Sequence, residues 1–505
     1  MNTNIGRIIN CSLCLYILGG LVPFWATADP SFIGIDRTLN ANKGIVVNGT
    51  TYPASTEGLN AAFAAAGKLN GSRTVILRAI ISVTSTVTIP SGVALQCDGG
   101  GGIRMADGAE MQVMIGVLSG TSQTIQNCVI DGNLTGNPGP YPTGESLIWI
   151  GDGASTAQTQ KITIDRNTFL NCPRICVFVN SSYGVQIMNN RGWKVGGQFV
   201  HVDNSRVSTP VTDSQIQISG NQSTFDARVF VGTGILTQNS ETIAGSGFST
   251  NWGALGYDNV LVVQGQGNWT ISSCNSGSCR LAAKFSGTTG SYPIAVGSDF
   301  AVQVIGAAAV RVEDNKFAGP DGSLEGIQFS ASPNDPVNNS RILRNLVSYS
   351  SPRTVGAEGI SYANLAEGGT GNNSTISNNT VAAPGSTCIS VVPANFMIGT
   401  FYNNAVLNNT CQDANATAVL PPSGFDNGIR IGGANVDSTI VTNNTCISTR
   451  PKGLHPPRMG FNYCVGIDGP GNAATHTTVT GNSFRVVDRS GIVGLVRNRG
   501  ANTRQ

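Results

Sequence analysis

Short alternations of apolar and polar residues, each ending in Asn, recur along most of the chain. They run Val129-Ile-Asp-Gly-Asn133, Ile162-Thr-Ile-Asp-Arg-Asn167, Val185-Gln-Ile-Met-Asn-Asn190 and Ile216-Gln-Ile-Ser-Gly-Asn221. The series continues with Val310-Arg-Val-Glu-Asp-Asn315, Arg341-Ile-Leu-Arg-Asn345, Thr375-Ile-Ser-Asn-Asn379, Val406-Leu-Asn-Asn409, Ile440-Val-Thr-Asn-Asn444 and Thr478-Val-Thr-Gly-Asn482. Strict alternation is the period of a β-strand with one buried face. The Asn residues are spaced 34, 23, 31, 94, 30, 34, 30, 35 and 38 apart. A period of that size is the signature of a solenoid, in which each repeat buries its apolar face against its neighbours. A second strand follows in each repeat, often opening with Gly-Ile: Gly326-Ile, Gly359-Ile, Gly428-Ile and Gly466-Ile. Asn tolerates the left-handed backbone region and bonds neighbouring peptide groups, so stacked Asn side chains are expected to form a ladder inside the turn.

The one aberrant spacing locates an insertion. Removing residues 237–300 from the gap of 94 leaves an ordinary 30. The segment holds its own strand patterns, Val260-Leu-Val-Val263 and Trp269-Thr-Ile-Ser272 among them, and resembles small β modules of bacterial and phage-tail surface proteins. Upstream, Ser55-Thr-Glu-Gly-Leu-Asn-Ala-Ala-Phe-Ala-Ala-Ala66 has the cap and apolar stripe of a short helix. The organisation expected is a signal peptide (1–28), a cap and first coils (29–236), the inserted module (237–300), the remaining coils (301–490) and a C-terminal tail (491–505).

The helix, followed by strands around Ile89-Pro-Ser-Gly-Val-Ala-Leu95 and the Asn-ended repeats, resembles the entry and coils of the pectate-lyase-like superfamily over most of residues 50–490. The resemblance implies an all-β, right-handed parallel β-helix. It implies no single activity, because that superfamily holds lyases, hydrolases, epimerases and adhesins. The active-site motifs of its polygalacturonases, pectate lyases and alginate epimerases are absent from this sequence.

Only 11% of residues are charged, and the net charge is +2, which excludes the dense basic face of a nucleic-acid binder. Arg7, an apolar Cys11–Val22 and Ala26-Thr27-Ala28 read as a cleaved secretory signal. No later stretch is long enough to span a bilayer, so the expected location is extracellular or periplasmic. Ten Cys remain after cleavage, and an oxidising compartment makes them disulfide partners. Local options are Cys97/Cys128, Cys172/Cys176, Cys274/Cys279, Cys388/Cys411 and Cys446/Cys464. Zinc is disfavoured by C-x₃-C and C-x₄-C spacings without His.

If the Ile of each Gly-Ile points inward, the next residue points out. Aligned coils then give an outward column of Trp149, Phe178, His201, Phe230 or Leu236, Gln328, Ser361, Ser390, Arg430 and Asp468. Glu325 and Glu358 precede Gly-Ile in adjacent coils, which makes them a candidate acid and base or nucleophile pair. His201 with Asp203 on the same strand face forms a candidate base with an orienting carboxylate. Trp149 and Phe178 are candidate platforms for the apolar faces of sugar rings. Asp226, Arg228, Gln328 and Arg430 complete the substrate-binding set. No cofactor is firmly implied; Asp152, Asp165, Glu313 and Asp314 at strand ends are the candidates for Ca²⁺. The function expected is cleavage of a polysaccharide, by a lyase or glycoside hydrolase mechanism, in a groove along the second-strand face. The alternative is a non-catalytic, tail-spike-like surface protein that binds glycans. Oligomeric state has no signature in the sequence.

Overall fold

The computed structural model describes residues 44–504, except 48, 110, 138–145, 154–158, 206–212, 226–231, 249–259, 264–265, 298–299, 320–324, 332–334, 350–357, 365–367, 385, 393–398, 415–426, 433–434, 450–462, 468–473, 487–493 and 499–502. The expected signal segment lies outside them. Among the described residues no helix is long and apolar enough to cross a membrane.

Each coil carries three strands, not the two that the pattern suggested. In one coil these are Thr163–Asp165, Thr168–Leu170 and Ile175–Asn180. Along the stack most middle strands are only three or four residues long and follow the turn directly, so they show no alternation of their own. Stacking gives a first sheet of 13 strands, from Ile45–Val47 to Thr478–Thr480, and a second of 12, from Ile80–Val83 to Ser483–Val486. A third sheet of 12 strands runs from Val87–Thr88 to Gly494–Asn498. Every pairing within these three sheets is parallel and joins equivalent residues of successive coils, as Ile164↔Ile187 and Phe178↔His201 show. This is a right-handed parallel β-helix, the hand that parallel crossovers take almost without exception. Inward residues of all three sheets, such as Ile164, Phe169, Val177 and Val179, are fully buried in one continuous core.

The helix Thr56–Gly67 closes the N-terminal end. The Ser55 hydroxyl accepts from the Gly58 amide, and Leu59, Ala62, Phe63 and Ala66 join the solenoid core. At the other end, the segment expected to be a tail contributes Gly494–Asn498, which pairs with Tyr463–Ile467 and extends the third sheet.

The turn between first and second strands holds the Asn ladder. Asn167, Asn190, Asn221, Asn315, Asn345, Asn379, Asn409 and Asn444 each donate from Nδ2 to the Oδ1 of the next, at 2.9–3.0 Å, ending on Asn482. Each Nδ2 also donates to a backbone carbonyl of the coil before, as Asn345 does to Val312. Two expectations need correction. The left-handed residue is the one just before the ladder Asn: Arg166, Asn189, Asp314, Arg344, Asn378, Asn408 and Asn443 all have φ of 54–58°. Asn133 is not a rung. It follows the second strand of its coil and binds Arg104, Asp107 and the Met105 carbonyl. The first rung is occupied by Cys128, whose amide donates to Asn167 Oδ1 and whose sulfur bonds Cys97.

Five disulfides join Cys97–Cys128, Cys172–Cys176, Cys274–Cys279, Cys388–Cys411 and Cys446–Cys464. Nearly all of these cysteines are buried, and the set fits an oxidising compartment.

The inserted segment is a closed antiparallel barrel of six strands, from Gly232–Leu236 to Gly290–Gly297. Its first strand lies upstream of residue 237, and Phe300–Ile305 already belongs to the third sheet. The barrel has its own core of Leu236, Ile243, Leu261, Ile271, Phe285 and Ile294, among others. The ladder crosses the insertion unbroken, since Asn221 bonds Asn315 directly.

Candidate functional site

Among the described residues, the third sheet presents an outward column whose members differ along the stack and are largely buried. Its register aligns Trp149, Phe178, His201, Gln303, Gln328, Ser361, Ser390, Arg430 and Gly466. Gln303 therefore stands where Phe230 or Leu236 was expected: Leu236 belongs to the barrel, and Phe230 is outside the described residues. Gly466 stands opposite Arg430 and Ile467 opposite Ile431, so the Gly-Ile there is two positions out of step with the others. Asp468, Asp226 and Arg228 lie outside the described residues.

A second column runs three residues earlier, through Ser146, Ile175 and Gln198, and through Phe300, Glu325 and Glu358. Between the columns lie two successive residues that both face the core. A Cβ on Gly326 would meet the Val347 side chain at 2.4 Å, and one on Gly359 would meet Val381 at 2.2 Å, while Ile327 and Ile360 are fully buried. This local bulge brings residues three apart onto one face. Gln198 Oε1 thus meets His201 Nδ1 at 2.6 Å, and Glu358 bonds Ser361.

The middle of the site is a buried amide and imidazole chain. Gln198 Nε2 donates to Gln303 Oε1 at 3.1 Å, and Gln303 Nε2 donates to Gln328 Oε1 at 2.7 Å. His201 is 1% exposed, and burial pushes its pKa down to about 4, against the opposing pull of Asp203 and Gln303. It is a neutral imidazole at ordinary pH. Gln198, which sequence reasoning missed because the bulge breaks alternation, orients the His201 ring. Asp203 turns its Oδ1 to the amide and hydroxyl of Ser205, at 3.0 and 2.5 Å. His201 Nδ1 thus pairs with Gln198, while Asp203 acts on the ring through its charge.

At the N-terminal side the Trp149 and Phe178 rings meet edge-on, 4.4 Å between centroids, and Phe178 meets His201 at 4.9 Å. Phe178 is 8% exposed and packs between these two, so it is no open platform; Trp149 is half-buried. Toward the C-terminal side, Glu358 is 8% exposed. Burial raises its pKa above the usual carboxylate range, while Arg430 and hydrogen bonds to Ser390 and Ser361 pull it down. Glu325 pairs in register with Glu358 on the adjacent strand. His201 and Ser361 stand three strands apart, about 14 Å at ~4.8 Å per strand, so His201 and Glu358 do not serve one reacting atom.

Three of the four strand-end acids considered for Ca²⁺ are paired with neighbouring side chains. Asp165 is held by Arg166 and Asn189, and Glu313 and Asp314 by Arg344. Asp152 is exposed. Among the described residues no three His, Cys, Asp or Glu gather as a metal-holding group.

No protein-family model and no curated protein matches the sequence. Among solved structures the chain is similar to the A-module of the mannuronan C-5 epimerase AlgE6 of Azotobacter vinelandii. That likeness has 12% identity and a TM-score of 0.45, and covers 91% of this chain and 97% of that one. It is also similar to a tailspike protein mutant of E. coli bacteriophage HK620 in complex with a pentasaccharide. There the identity is 11% and the TM-score 0.49, over 88% of this chain and 63% of the tailspike's length. The surface protein and adhesin PfbA of Streptococcus pneumoniae is a third, at 12% identity and a TM-score of 0.40, over 88% and 94%.

Proposed function

We propose that this is a secreted polysaccharide-cleaving protein whose site lies along the outer face of the third sheet, with Glu358 as general acid and Glu325 as nucleophile. The supporting observation is the pairing of Glu358, a buried carboxyl that favours its proton, in register with Glu325. Residues in register on neighbouring strands stand about 4.8 Å apart at the backbone, a spacing that would let two carboxyls flank one glycosidic bond as retaining glycosidases require. Glu358 would give its proton to the glycosidic oxygen as the C–O bond breaks, while the Glu325 carboxylate takes the anomeric carbon. Water, deprotonated by Glu358, would then displace Glu325. Incubation with neutral and uronic polysaccharides should release new reducing ends. Glu358→Gln and Glu325→Gln should each lower the rate by about 10²-fold or more. An unsaturated, ultraviolet-absorbing product whose formation survives both changes but not His201→Ala would overturn hydrolysis in favour of elimination.

The inserted barrel, with its own core and disulfide, favours a second reading, a non-catalytic glycan-binding surface protein. Binding without turnover across the panel would decide for it.

A further inference from the structure

The two ends of the coil stack differ. At the N-terminal end the helix Thr56–Gly67 lays Leu59, Ala62, Phe63 and Ala66 on the core, each at most 1% exposed. At the C-terminal end the last strands of the second and third sheets, Ser483–Val486 and Gly494–Asn498, carry the apolar residues Phe484, Leu495 and Val496. One coil back, Cys446 stands in register with Phe484 and Val465 with Val496, and Cys464 precedes Val465 as Leu495 precedes Val496. Those three are fully buried. Phe484 and Val496 are only partly buried, and Leu495 is 40% exposed. Core positions therefore reach solvent at this end. Arginines surround them. Arg485 is exposed on the second sheet's last strand, and Arg497 is partly exposed on the third's. Arg504, also exposed, bridges Thr478 on the last strand of the first sheet. Each face of the stack thus ends on one guanidinium. Residues 483–505 hold five arginines against one acid, a net +4 in a chain whose total is +2. Charge gathered in this way at one end suits an anionic partner. A second copy docked end to end would set like charge against like.

We infer that the C-terminal end of the stack docks on a membrane surface bearing anionic phospholipid headgroups. Arg485, Arg497 and Arg504 would bond phosphate oxygens, and Leu495 with Phe484 would settle at the boundary between headgroups and acyl chains. Basic residues around an apolar centre are the pattern of interfacial binding, in which apolar burial and attraction to anionic lipid act together. A soluble polyanion would engage the arginines and leave the apolar layer in water, whereas a lipid surface covers both. The inference does not depend on cleavage at Glu358. Attachment by the end leaves the outer face of the third sheet open along its length.

The test is sedimentation of the full-length protein with vesicles of phosphatidylcholine alone, or of equal parts phosphatidylcholine and phosphatidylglycerol. Binding is expected to the mixed vesicles only. It should fall as salt approaches ~1 M, where the screening length is about 3 Å. Arg485→Gln, Arg497→Gln and Arg504→Gln should each weaken it about 5-fold, the worth of one basic side chain at an anionic surface, and the triple variant about 100-fold. Leu495→Ser should weaken it by about 2- to 5-fold through lost apolar burial. Arg311→Gln and Arg341→Gln serve as controls, because both residues are exposed on the first sheet, five and four strands back from Thr478–Thr480. They should change nothing. Urea unfolding checks that every variant is folded. Equal binding to neutral vesicles, no binding to either kind, or an equal loss in the two controls overturns the inference. Binding to immobilised polyglutamate that exceeds binding to the mixed vesicles overturns the lipid partner in favour of an acidic polypeptide.

Discussion

The molecule contains two polar ladders built on the same coils, and they differ in almost every respect. The inner one repeats a single residue from Asn167 to Asn482, with the same two acceptors for each amide. The outer one, on the third sheet, changes from indole to phenyl, imidazole, amide, hydroxyl and guanidinium within eight strands. Repetition is what a scaffold needs, because each rung must satisfy the next. The outer column repeats only locally, as Gln303 with Gln328 and Ser361 with Ser390, and so meets no requirement shared by every coil. Both ladders are buried, so burial alone does not separate structure from function here. The distinction lies in whether neighbouring rungs are interchangeable.

Four measurements break or sharpen this contrast. The largest effect is expected from Asn345→Ala. It leaves the Asn315 amides and the Val312 carbonyl without their partner in a dry turn. At about 1–3 kcal/mol per buried orphan, urea unfolding should show a loss of roughly 3–5 kcal/mol. A loss below about 1 kcal/mol would mean that the inner ladder is ornament. The next effect concerns acid. His201 is held neutral with its pKa near 4, below the unfolded value of 6.5. The unfolded chain therefore binds the extra proton between these values. Stability is full above pH 6.5 and falls as pH drops toward 4, by on the order of 3 kcal/mol. His201→Gln should flatten that slope in urea melts taken across the window. Glu358 has the opposite sign: its raised pKa makes the folded state bind the extra proton, so stability falls as pH rises above its ordinary value. Glu358→Gln should remove that decline. The smallest effect is expected from Gln303→Leu. It takes one amide from the outer chain and leaves Gln198 and Gln328 each short of one bond, for about 1–2 kcal/mol.

The sequence made the inner ladder legible because Asn recurs at a fixed offset from alternating strands. It misled at the first coil, where Asn133 stands one strand late and Cys128 holds the rung. The middle strands were invisible because three or four residues carry no period. The cysteine options matched the bonds formed because each pair stands close in sequence within or between adjacent coils. The outer column was partly legible. Trp149, Phe178, His201, Gln328, Ser361, Ser390 and Arg430 fall on one line, as alternation requires. Gln303 was hidden by the insertion, which obscures where the coil resumes. The Gln198–His201 and Glu358–Ser361 partnerships were hidden by the bulge, since a residue three positions away should face inward in a regular strand. Burial of His201 and Phe178 is a tertiary property with no local sequence mark.

The barrel enters through Gly232–Leu236 and leaves through Gly290–Gly297, and these two strands pair antiparallel, Gly232 opposite Ile294. The chain therefore departs from the solenoid and returns to it at neighbouring points, and the coil resumes in register. Lengthening one connection from about 30 to 94 residues costs only about 1 kcal/mol of closure entropy. That junction works as a socket. A change of module at that junction would leave the Asn221–Asn315 rung contact as it is.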